Sequence, residues 1–213
     1  MTENLDPRIL ELLCSHLCHE LISPVTAVNN GLELVGEGDS EMLAEALGLM
    51  RQSASEASKK LQFYRLAYGQ AAAFDAARGL QQARELTDGL LQGGKITLNW
   101  SQSDKMAIAD KPSVKLLLNI LALARDALPR GGVIAVTVGP SLQTEIAASG
   151  QGARLAPEIQ AALAPNVNCD SLTPRTVHAY LIGWLARRLN ASFSVEFRTP
   201  DQVFFRVQLG AGS

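Results

Sequence analysis

The chain has 213 residues, 47% of them apolar and 19% charged, and a formal net charge of −2. That length accommodates two small domains, each with its own core. A near-neutral balance with no long basic run argues against a nucleic-acid footprint or a polybasic membrane anchor, and no apolar stretch approaches membrane-spanning length.

The segment from Met1 to Pro7 carries acids rather than a basic region followed by an apolar run, so the chain is expected to remain in the cytoplasm. Three cysteines, Cys14, Cys18 and Cys169, are odd in number and fit a reducing compartment. A metal site built from Cys14, His16, Cys18 and His19 is disfavoured. The two cysteines share one helical face while the histidines project elsewhere, and one helix cannot enclose a tetrahedral ion with them. Both cysteines are expected to be small, semi-buried packing residues.

A first helix is predicted from about Pro7 to the Gly36-Glu37-Gly38 break. Leu13, Leu17, Leu21, Val25, Val28, Leu32 and Val35 recur at steps of four or three, the pattern of one buried stripe. His19 lies roughly 160 to 200° around the helix from Leu17 and Leu21 and therefore faces outward. Leu12, Ser15, Ser23, Thr26 and Asn30 share its face, with Ile22 one turn on. Their small or uncharged character suits a surface that another protein approaches closely. Pro24 removes one helical donor and crowds the carbonyl of Glu20, so a kink is expected beside the histidine. The apolar stripe nevertheless continues past Pro24 in phase.

Asp39 or Ser40 can cap a second helix, in which Leu43, Leu47, Met50, Ala54, Ala57, Leu61, Tyr64 and Tyr68 form a heptad seam. A short turn makes the two helices antiparallel neighbours, but one hairpin offers too little surface to bury both stripes. A second copy of the chain, completing a four-helix bundle, is the expected cover. Burial against the C-terminal half of the same chain is the alternative.

The alanine-rich run Gln70 to Ala77 reads as a junction, dividing the chain into residues 1–74 and 75–213. Beyond it, helices are predicted near Arg78 to Leu91, Pro112 to Leu128, Pro157 to Leu163 and Pro174 to Leu189. Strands are predicted at Lys95 to Trp100, Met106 to Ala109, Val133 to Val138, Leu142 to Ala148, Phe193 to Phe197 and Val203 to Leu209. The expected architecture is thus an all-α helical hairpin followed by an α+β two-layer sandwich.

His19-Glu20-Leu21-Ile22-Ser23-Pro24 resembles the H-box of two-component histidine kinases and phosphotransferases. That pattern is His, an acid, two variable residues, Ser or Thr, then Pro. The longer run through Asn29-Asn30-Gly31-Leu32-Glu33-Leu34 is similar to the histidine phosphotransferases of the alphaproteobacterial cell-cycle phosphorelay. The resemblance implies that His19 is phosphorylated with Glu20 as its helper, and that Leu12, Ser15, Ile22, Ser23, Thr26 and Asn30 surround it as the docking face. It also implies a homodimer whose partners are the receiver domain of an upstream hybrid histidine kinase and downstream response regulators, with magnesium supplied by the receiver. His16 matches no functional position of the family.

The order of elements from about Arg78 onward resembles the ATP-binding domain of histidine kinases, with three departures. Leu123 stands where the family's magnesium-holding Asn belongs, although Asn119 survives upstream. Ala148-Ser149-Gly150-Gln151-Gly152 keeps both glycines of the adenine-binding turn and lacks its acid. Leu172-Thr173-Pro174-Arg175-Thr176 contains no glycine where bare backbone must approach phosphates. The reading is a degenerate nucleotide domain, and a phosphotransferase that needs no cofactor of its own and lacks autokinase activity. A divergent active kinase and a non-catalytic dimeric scaffold or kinase inhibitor are the alternatives. Gly131-Gly132 reads as a turn into a strand, and His178 as a packed helix residue.

Overall fold

The computed structural model describes residues 6–35, 40–70, 74–102 and 108–208. The break at Gly36-Glu37-Gly38, the capping side chains Asp39 and Ser40, the middle of the alanine-rich junction, Leu209, and Met106 with Ala107 lie outside the described residues. Of the strand expected there, Ile108 and Ala109 are described and are not in a strand.

Helices α1 (Pro7–Val35) and α2 (Ser40–Ala67) form the expected hairpin. A small residue lets them pack closely at Gly31, where an added Cβ would clash with the Met50 side chain. The α1 positions buried within the chain are Ile9, His16, Pro24 and Gly31, a line rotated away from the expected stripe. On that stripe Leu13, Leu17, Leu21 and Val28 are half-buried, while Val25, Leu32 and Val35 are exposed. On α2, Tyr64 is buried, but Leu43, Leu47 and Leu61 are 36%, 40% and 50% exposed. The physical reason is the one anticipated for a lone hairpin: two helices cover only one side of each other, and the sandwich, which packs on α2 at Phe63–Ala67 and reaches Lys59 through Gln92, leaves Leu43, Leu47 and Leu61 partly open. The cysteine expectation is corrected here. Cys14 and Cys18 are both exposed, because they lie on the side of α1 turned away from His16 and α2.

The sandwich comprises α3 (Gly79–Leu91), β1 (Ile96–Gln102), α4 (Lys111–Asp126), β2 (Gly132–Val138), β3 (Gln143–Ser149), α5 (Pro157–Ala162), α6 (Val177–Arg188), β4 (Ser192–Thr199) and β5 (Gln202–Gln208). The five-stranded sheet has the order β1-β2-β3-β5-β4, with β1 and β2 parallel and the remaining pairs antiparallel. A parallel pair requires a crossover, and α4 supplies it. Asp110 starts that helix by accepting a 2.9 Å hydrogen bond from Ser113 N, with Pro112 in the first turn. The run Leu116 to Ala124 is almost wholly apolar and buried all round, because α4 has the sheet on one side and α2, α3 and α6 on the others.

Alternation along the strands sends Ile134, Val136, Ile146, Ala148, Val203, Phe205 and Val207 into the core. The opposite face carries a charged ladder, in which Arg206 bridges Glu145 on β3 and Glu196 on β4 at 2.8 and 2.6 Å. Gly131 and Gly132 form the expected turn into β2. Both have positive φ, and a Cβ on Gly132 would come within 2.2 Å of Ser149 O, so the approach of the two backbones requires glycine.

Candidate active site around the first helix

Pro24 determines the local structure of the site. It has no N–H to give the Glu20 carbonyl, and Lys60 on α2 fills the vacancy with a 3.0 Å hydrogen bond from Nζ. The Glu20 carboxylate is held from the sandwich: Arg125, in the last turn of α4, donates Nη1 and Nη2 to its two oxygens, both at 3.1 Å. Arg125 is itself anchored by Asp126, which accepts from Nε and Nη2 at 2.9 and 2.8 Å. Lys60 also stands 3.9 Å from a Glu20 oxygen and 3.0 Å from Glu56. Burial works to raise the Glu20 carboxyl, but the charge and hydrogen bonds of Arg125 and the charge of Lys60 outweigh it and hold the group below the usual carboxylate range.

One residue earlier, His19 is exposed and makes no hydrogen bond or ion pair among the described residues. It lies at the rim of a cleft of about 610 Å³, bounded by α1, the end of α4, the Arg154–Ala156 segment and the turn before α6. Ile22, Ser23, Thr26 and Asn30 are exposed along the same helix. Leu12 and Ser15 are not part of that open surface. Both are half-buried, and Leu12 packs with the apolar cluster of Ile9, Leu172 and Val177 where α1 meets α6.

His16 has a different environment from His19. It is 8% exposed, and its Nδ1 lies 3.1 Å from the Pro174 carbonyl, which can only accept, so Nδ1 carries the proton. Its ring stacks on His178 of α6 with centroids 5.5 Å apart and meets Tyr64 and Tyr68 edge-on. Burial pushes the His16 imidazole below its ordinary value against the pull of Glu20. Burial, with His16 and Arg125 as neighbours, drives His178 down to about 3. Both rings are therefore neutral packing groups at the joint between hairpin and sandwich, as expected for His178.

Residues 80–200 match the family described as histidine phosphotransferase C-terminal domain. The chain is also 34% identical over 200 residues to protein phosphotransferase ChpT of Brucella abortus (strain 2308), covering 91% of this chain and 92% of that protein. The chain belongs to the histidine phosphotransferase family. A solved bacterial phosphotransferase superposes on it with a TM-score of 0.82 at 30% identity, covering 96% of this chain and 98% of the other. A weaker likeness, TM-score 0.48 at 14% identity, is found to the catalytic domain of the histidine kinase ThkA, over 65% of this chain and 93% of that domain.

In this phosphotransferase the positions singled out in the sequence as unlike the kinase pattern make other contacts. Leu123 is buried and contributes an apolar wall to the cleft beside His19. Ala148 is buried in β3 between Ile134 and Val203, and the two glycines after it hydrogen-bond Asp201: Gly150 N donates to its carbonyl and Gly152 N to its carboxylate, at 3.0 and 2.7 Å. The turn before α6 is closed by its own hydroxyl, with Thr173 N donating to Thr176 Oγ1 at 2.9 Å, and its Pro174 carbonyl receives His16.

The two cations on Glu20 were not identified from the sequence. Arg125 had a signal, as the charge that ends the apolar run Leu116–Ala124. Lys60 had a weaker one, since a proline inside a helix leaves a carbonyl that some donor must satisfy. Among the described residues no helix is long and apolar enough to cross a membrane.

Proposed function

We propose that this phosphotransferase relays phosphoryl groups between receiver domains through His19. The ring nitrogen bearing a lone pair attacks the phosphorus of a receiver phosphoaspartate. A P–N bond forms as the acyl-phosphate P–O bond breaks, and the aspartate leaves as its carboxylate. Reversal onto a second receiver's aspartate completes the relay. Glu20 orients the ring or takes its proton. The transfer is mostly positioning and charge neutralisation, and the magnesium for it belongs to the receiver's acidic pocket. The upstream donor is the receiver domain of a hybrid histidine kinase and the acceptors are response regulators, in the cytoplasm.

The observation that carries this reading is the pairing of an exposed, unbonded His19 at the mouth of a cleft with an adjacent carboxylate kept ionised by two cations. The open surface beside it, Ile22, Ser23, Thr26 and Asn30, gives a receiver room to bring its aspartate to the imidazole. Half-buried Ser15 and Leu12 form the edge of that docking face.

Residues 1–74 act as the dimerisation and transfer unit, and residues 75–213 as a support that no longer uses ATP. The occupant of the open apolar band on the hairpin, which includes Val25, Leu32, Leu47 and Leu61, is a second copy of the chain. The deciding experiment mixes the protein with a phosphorylated receiver. Acid-labile phosphate on His19 is expected, and its absence from His19 overturns the reading.

A further inference from the structure

The Glu20 carboxylate beside His19 is gripped from the sandwich by Arg125 of α4. We infer that Arg125 is a positioning residue for phosphotransfer, acting on His19 chemistry by clamping the Glu20 carboxylate. The inference rests on the reading of His19 and Glu20 given above.

Geometry favours positioning over mere attachment. Two parallel N–H donors at 3.1 Å fix the plane of the carboxylate as well as its place, which a lysine's single ammonium cannot do. Lys60 holds the same residue by its main-chain oxygen, so the neighbour of His19 is restrained at backbone and side chain by two different elements. Asp126 in turn fixes the guanidinium from behind.

Energetics point the same way. The side chains of Arg125 and Glu20 are only 17% and 20% exposed, and desolvating such a pair cancels much of its attraction, so an apolar pair would attach the two halves equally well. What an apolar pair cannot supply is an ionised carboxylate in a set orientation beside the nucleophile. The helix that has Leu123 where the kinase pattern has an Asn thus places, two residues on, the group that holds the carboxylate next to His19.

The test uses the full chain and single-turnover transfer from a phosphorylated receiver. Arg125→Ala is expected to lower the saturating rate by roughly tenfold or more while leaving the half-saturating receiver concentration within about twofold. Arg125→Lys should recover part of the rate, and Arg125→Gln, which retains donors, is measured beside it should the alanine variant fail to fold. In a Glu20→Gln background Arg125→Ala should cost nothing further. The acidic limb of the rate profile should move to higher pH in Arg125→Ala, because among the described residues Glu20 would then face Lys60 and Tyr64 of α2, His16 of α1 and Asp126 of α4, with Lys60 the one cation left. An unchanged saturating rate, a loss confined to half-saturation, or an equal loss in both backgrounds overturns the inference. His19→Ala separates the two levels: if it still accepts phosphate, the site assignment fails, whereas if it is inert and Arg125→Ala is normal, only the role of Arg125 fails.

Discussion

Lys60 donates its ammonium to the main-chain oxygen of Glu20 across the α1–α2 interface at 3.0 Å, filling the place of the helical N–H that Pro24 lacks. The proline and the lysine are therefore energetically coupled. Lys60→Met is expected to destabilise the protein by about 1–2 kcal/mol, since it orphans a partly buried carbonyl and one end of an ion-pair network. In a Pro24→Ala background the helix can satisfy that carbonyl itself, and the cost of Lys60→Met should shrink by about 1 kcal/mol. A urea-denaturation double-mutant cycle checks this; additivity of the two changes would show that the bond carries no energy.

Two histidines three residues apart should give opposite phenotypes. His19→Ala should abolish phosphoryl acceptance with an unchanged melting temperature, because an exposed, unbonded side chain carries little packing energy. His16→Ala should still accept phosphate but lose about 1–3 kcal/mol, because it removes the partner of Pro174 and the ring stacked on His178. Transfer assays paired with thermal melts separate the two.

Charge placed on the open band should dissociate copies of the chain without unfolding one. Leu47 and Leu61 are 40% and 50% exposed in the single chain, so a glutamate at either site remains hydrated in the monomer and becomes buried only where a second copy covers it. Light scattering is expected to fall from a two-chain to a one-chain mass while helical circular dichroism persists. A one-chain mass for the unmodified protein would refute the dimer.

Acidification should weaken the joint between hairpin and sandwich before it reaches any carboxylate. His178 lies near 3 in the folded chain against an ordinary 6.5, and His16 is lowered as well. Unfolded chains therefore bind protons that the folded chain refuses, and stability is complete above about pH 6.5 and falls below it. The loss is about 1.4 kcal/mol per pH unit for each histidine fully refusing its proton. Glu20, whose pKa is depressed from 4.5, adds its own loss only below that value. His178 faces His16, Tyr68 and Asn119 from α1, α2 and α4, with Arg125 nearby, and none of these is an acid that could stabilise its charged form. His178→Phe should flatten the slope of stability between pH 6.5 and 4.5, as measured by denaturant midpoints.

Magnesium-ATP should give no saturable heat in calorimetry in the millimolar range. Leu123 offers a metal no oxygen, Ala148 gives adenine no carboxylate, and the turn before α6 is closed by Thr176. Each missing charge-assisted contact weakens binding by roughly 1.5 to 3 kcal/mol. Micromolar binding, or phosphate on His19 from ATP alone, would establish an active kinase instead.

Periodicity was sufficient for the parts of this protein that depend on local geometry. The steps of three and four in α1 and α2, the alternation in β2, β3 and β5, and the outward direction of His19 all follow from residues within one or two turns of each other. Pro24 even identified the Glu20 carbonyl as a group needing a donor. Which donor answered it was decided by packing, since Lys60 lies 40 residues away and Arg125, on the side chain of the same residue, 105 away. Helical phase says which residues share a face, but it does not say what covers that face. His16 thus became a buried joint with His178, Cys14 and Cys18 were left in the open, and Leu12 came to pack where α1 meets α6. Those outcomes depend on how the sandwich lies against the hairpin, a relation set by long-range contacts that no window of sequence contains.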